Sequence, residues 1–255
     1  MIQEGNLDFG ASVPIIHGTP SSNESEYEQP PEPVHAPHRQ HAATAVTGER
    51  AAQVLKNTYL LLGLSLMVAT GAAVFAMAMG IGYVNVFVTL GVYFGLLFAT
   101  NKLRNSSWGI LAVFGLTGWL GFTTGPIINM YAQINGGMEI VSLALGGTAS
   151  IFVAMSGIAL VTRKDFSFMT NFIMVGILVA FLAGLAAVFF NIPALSLAVS
   201  AAFVLLSSLL ILWQTSAIIH GGETNYIMAT VTLFVSIYNL FLSLLHILTA
   251  LSGND

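Results

Sequence analysis

Seven long runs in this chain contain no Asp, Glu, Lys or Arg and are apolar almost throughout: approximately residues 58–79, 83–100, 108–131, 140–161, 168–190, 194–213 and 227–251. A helix crosses a bilayer core with about 20 mostly apolar residues. No water reaches the backbone inside that core, so each run must satisfy its own N–H and C=O groups as a helix. The runs therefore predict an all-α integral membrane protein, a bundle of seven transmembrane helices. Composition agrees, since 56% of the 255 residues are hydrophobic and 7% are charged, against roughly 25% charged in an ordinary soluble domain.

The connections are short and carry turn chemistry: GIGY at 80–83, NKLRNSS at 101–107, NGG at 135–137, TRKDFS at 162–167 and NIP at 191–193. One bundle, residues 54–255, is expected to follow a tail, residues 1–53. The tail includes EYEQPPEPVHAPHRQH and six of the eleven acids, Glu4, Asp8, Glu24, Glu26, Glu28 and Glu32. Its low apolar content cannot offset the entropy of ordering, which predicts disorder. The net charge of −4 belongs to this tail, and nothing in the charge pattern marks a nucleic-acid surface. An acidic N-terminus, MIQEGNLDFG, is not that of a cleavable signal peptide, so the first span is expected to direct export.

Basic residues of short loops favour the cytoplasmic side. Arg39, Arg50 and Lys56 precede the first run, Lys102 and Arg104 join the second to the third, and Arg163 and Lys164 join the fourth to the fifth. All seven basic residues fall on one side of a seven-crossing topology with the N-terminus cytoplasmic and the C-terminus periplasmic. The sixth connection, within WQTSAIIHGGETNYI, should be cytoplasmic yet holds only His220 and Glu223 and no Lys or Arg, and its TSAII start either extends the sixth helix or dips back into the bilayer.

With no cysteine, disulfides and thiolate metal sites are excluded. No HExxH, GxSxG, phosphate loop or dinucleotide fingerprint is present, so neither catalysis nor a cofactor is expected. His35, His38 and His41 resemble a metal tract only weakly and read as solvated tail. Charge-free spans leave no proton relay, and attention passes to the uncharged polar residues at depth. These are Gln214 near the end of the sixth helix and Ser236, Asn239, Ser243 and His246, which share one face of the seventh. Such a stripe lines a pore or hydrogen-bonds neighbouring helices. Gly118, Gly121 and Gly125 on the third helix, and Gly146 and Gly147 on the fourth, read as close-packing surfaces.

The segment LLILWQTSAIIHGGETNYIMATVTLFVSIYNLFLSLLHIL resembles the signature of the Bax inhibitor-1/YccA family. LKNTYLLLGLSL, GFTTGPIINMY, ALGGTASIF, VTRKDFSFM and NIPALSLAVSAAFVLLSS extend the likeness over roughly residues 54–251. The resemblance implies a bacterial inner-membrane protein with six helices around a central one. For YccA-like members it implies binding and modulation of the membrane-anchored protease FtsH, acting on substrates such as SecY. Other members are calcium leak channels gated by a pair of aspartates. Those positions fall on Gln214 and Ser236 here, and neither side chain titrates as a carboxylate dyad does. A reporter fused after Asp255 is expected to read as periplasmic; a cytoplasmic reading would mean an even number of crossings.

Overall fold

The computed structural model describes residues 37–253, with side chains from Gly48 onward. Seven helices follow one another: α1 (Pro37–Ala78), α2 (Val86–Leu103), α3 (Trp108–Ala132), α4 (Gly137–Thr162), α5 (Thr170–Phe189), α6 (Pro193–Ile219) and α7 (Tyr226–Leu251). Each contains a stretch long and apolar enough to cross a membrane, as the runs predict. A single 3₁₀ turn, Ser167–Met169, leads into α5.

Local chemistry explains most of the boundaries. Asn85 and Asn225 cap α2 and α7 by accepting hydrogen bonds from the first-turn N–H groups of Phe87, and of Ile227 and Met228. Pro193 opens α6, where a missing N–H costs nothing. One boundary is open in the sequence and another differs from expectation. α6 runs on to Ile219, so of the two alternatives TSAII extends it. α1 reaches back to Pro37, so residues 37–53, expected to belong to a disordered tail, are helical. Its Ala-rich stretch AATAVTGERAAQVLK consists largely of good helix formers and is joined to an apolar helix that supplies the costly nucleus. Residues 1–36 of the expected tail lie outside the described residues. At 1.5 Å per residue, the 42 residues of α1 exceed a bilayer core by about 30 Å.

α7 is the hub. It packs against α1, α2, α3, α4 and α6, whereas α5 leans on α6 and reaches α2 through the ring pairs Phe87–Phe189 and Phe94–Phe181. Five helices thus approach the central one backbone to backbone, and α5 completes the ring through α6 and α2. The main core joins Leu61 and Leu62 of α1, Val113, Leu116 and Leu120 of α3, Ile211 of α6, and Leu233 and Leu240 of α7, all buried. A second cluster, Tyr131, Ile140, Val141, Ala144, Phe241 and Leu245, ties α3, α4 and α7 together at the other end.

The closest approach is between α1 and α3. A Cβ at Gly121 would collide with the Ala69 carbonyl, and one at Gly125 would lie 2.5 Å from the Ala73 oxygen. Both partners are backbone atoms, so GFTTG of α3 and the alanines four apart on α1 form a small-residue seam on both sides. Gly118 meets only Val68 at 3.5 Å, and Gly146 faces open space. Gly121→Ala is therefore expected to cost about 1–3 kcal/mol, seen as a lowered unfolding midpoint in detergent. Gly118→Ala and Gly146→Ala should leave the midpoint in place.

Candidate functional site

Apart from Glu139 in the first turn of α4 and His246 near the far end of α7, the acidic, basic and histidine side chains of the described residues collect at one end of the bundle, where α1 enters, α2 meets α3, α4 meets α5 and α6 meets α7. Hydrogen bonds hold these loops in register. Asn225 Nδ2 donates to the Arg104 carbonyl at 2.9 Å and to Asn105 Oδ1 at 3.0 Å, binding the 6–7 loop to the 2–3 loop. Ser216 is buried and sits at the centre of a second tie. Its hydroxyl donates to the Lys164 carbonyl at 2.9 Å and accepts from Phe166 N–H at 3.2 Å. His220, one turn further along, faces the Ser216 carbonyl through Nδ1 at 2.9 Å and the Arg163 carbonyl through Nε2 at 3.1 Å. Trp213 Nε1 donates to Thr170 Oγ1 at 2.8 Å, so the end of α6 grips both sides of the 4–5 loop.

Within that loop, Arg163 caps α4 in the left-handed region, φ 49°, and Asp165 accepts from the side chain and backbone N–H of Ser167. Those hydrogen bonds, aided by His220, hold the Asp165 carboxyl below its ordinary range. A depressed acid contributes above its unfolded value and loses that contribution as pH falls through the folded one. The loop cap is thus intact throughout the neutral range. Glu223 accepts from Asn225 N–H at 2.7 Å and, with Arg50, Gln53 and Asn57, borders a polar mouth between α1 and the 6–7 loop.

Deeper in the bundle, the predicted polar residues divide. Gln214 is buried in α6 and its Nε2 has no hydrogen-bond partner. Thr215 beside it bonds the Tyr59 hydroxyl across to α1 at 3.2 Å. Ser236 is buried, and its hydroxyl is spent on the Thr232 carbonyl of its own helix at 2.7 Å. Asn239 is half-buried and Ser243 buried, whereas His246 is exposed and joined to Ser200 of α6 at 2.7 Å through Nδ1. The stripe thus runs from core to surface along α7. Among the described residues no three His, Asp or Glu side chains gather as metal ligands. The side chains of His35, His38 and His41 lie outside the described ones.

Sequence reasoning did not single out Ser216 or Asn225. The signal for Ser216 was available in its i, i+4 spacing from His220 at a helix end.

A model of the family described as inhibitor of apoptosis-promoting Bax1 matches residues 51–253. The chain belongs to this family. Residues 1–50 lie outside the match. Among Bax1-inhibitor relatives, a Pseudomonas aeruginosa protein carrying no functional name is 52% identical over 79% of this chain and 91% of its own length. The modulator of FtsH protease YccA of Escherichia coli K12 is 46% identical over 77% of this chain and 89% of its own length. A protein of Escherichia coli O6:H1 called inner membrane protein YccA matches to the same extent. The chain is accordingly a multi-pass inner-membrane member of the family.

An orphan amide in a buried site forfeits its hydration, at about 1–3 kcal/mol. Gln214→Leu, similar in volume and without the orphan, is expected to raise the unfolding midpoint; a fall would show that Nε2 is paired in the membrane.

Proposed function

We propose that this protein regulates membrane protein quality control by binding an FtsH-type protease and modulating its action on membrane substrates, SecY among them, without catalysis of its own. Likeness to a relative named as modulator of FtsH protease supports the reading. So does the interior, since α2 to α7 carry between their ends no carboxylate or amine to couple transport to a proton. The segment ahead of the family match adds a handle: about 50 residues on the basic side of the bundle, ending in a helix that stands clear of the bilayer core. A protease that pulls its clients from the membrane engages such a segment, and partner and client then share one binding mode.

A second reading has one observation in its favour. Buried Gln214, with its Nε2 unpaired, belongs with Ser236 and Asn239 to the chain's deep polar set, and the oxygen of its amide is the kind of ligand a cation would take on an ion path of the calcium-leak type. The two readings part experimentally. The regulator reading expects the full chain to co-purify with the protease and to slow SecY turnover, and expects the effect to fall when residues 1–50 are deleted. Absence of co-purification together with calcium flux into proteoliposomes that Gln214→Leu or Ser236→Ala abolishes would replace it with the channel.

A further inference from the structure

The backbones of α1 and α4 do not approach one another, although their side chains touch toward the basic end through the Tyr59–Phe152 ring pair at 5.9 Å. Toward the opposite end the gap between them is a cavity of about 390 Å³, walled by α1 and α4 and floored by α3 and α7. Its size lies within the range of small-molecule sites. The mouth is flanked by Val74 and Leu145, each more than half exposed, so the cavity is continuous with the surface that the spanning helices present to lipid.

The lining says what kind of molecule fits. Three threonines face the space, and each hydroxyl is already used by a carbonyl of its own helix: Thr70 with Leu66 at 2.8 Å, Thr124 with Leu120 at 2.7 Å and Thr148 with Ala144 at 2.7 Å. The Tyr238 hydroxyl stands 3.5 Å from Thr124 Oγ1. No charged side chain lines the cavity, so nothing in it would hold a headgroup, a cation or a file of water. Apolar cavities of about 150 Å³ stay dry and take benzene-sized molecules. One of this size, open to hydrocarbon at its side, takes a longer apolar chain, because a void deprives its lining of dispersion contacts.

We propose that this cavity binds one acyl chain of a membrane lipid, tail inward, with the headgroup left in the leaflet opposite the basic end. Recognition is by the shape of the tail and indifferent to the headgroup. Met138, in the first turn of α4, places the entrance beside that interface.

Native mass spectrometry of the full chain, purified in a delipidating detergent and supplied with phosphatidylethanolamine or phosphatidylglycerol of one acyl composition, tests the assignment. The wild type is expected to retain one lipid of either kind. Leu145→Trp and Val74→Trp, which fill the mouth from lipid-facing positions, are expected to lose it while the unfolding midpoint holds. Failure of the folded wild type to retain lipid, or undiminished retention by both variants, would overturn the site. Retention confined to the anionic lipid would move binding to the basic end and overturn it equally. Because the chain has no cysteine, Val74→Cys places a single thiol at the mouth. Efficient cross-linking there between two copies in the membrane would put a second protein chain, and not a lipid, in the cavity.

Discussion

Hydrocarbon gives no hydrogen bonds, and the whole arrangement answers to that constraint. Backbone groups are closed within seven helices, and at least ten serine and threonine hydroxyls of the spans turn back onto carbonyls three or four residues earlier, Thr148 and Ser236 among them. Once polar groups are silenced in this way, water no longer drives the helices together, and what is left is contact between surfaces. That is why the tightest junction, α1 on α3, is made of glycine and alanine. Two backbones can only come so close where one side carries no side chain and the other nothing larger than a methyl.

Placing α7 at the centre follows from the same logic. It carries the greatest share of polar side chains among the later spans, and a helix that touches five others exposes least of that polarity to lipid. α5, whose sequence TNFIMVGILVAFLAGLAAVF has nothing to hide after its first turn, stands at the periphery. Gln214 departs from the pattern, as a buried amide whose Nε2 is left unpaired. Natural proteins tolerate such a group chiefly where it is used.

Much of the fold was legible because a 20-residue apolar run is the strongest signal a sequence carries. Helix number, the short loops and the collection of basic residues at one end all follow from it. What could not be read is which faces meet: spans such as α2 and α5 are apolar all round, and without an amphipathic stripe the pattern gives no direction. The glycines narrowed the choice only in part, since Gly121 and Gly125 are keyed into α1 whereas Gly146, equally prominent in sequence, faces nothing. One stretch misleads: residues 37–53 look like a tail when polarity is weighed above helical continuity with an adjoining span, whereas of the two alternatives for TSAII the helical extension holds.

α1 is at once the helix that extends furthest from the bundle and the one most closely keyed to a neighbour, with Thr58 also accepting a hydrogen bond from Thr230 of α7 through its carbonyl. Mechanically the two roles are in series. A pull on the protruding end is carried along a rigid rod into the α1–α3 seam, where it acts as shear across many contacts at once instead of peeling one loop after another. A load on the N-terminal side would thus meet the α1–α3 seam.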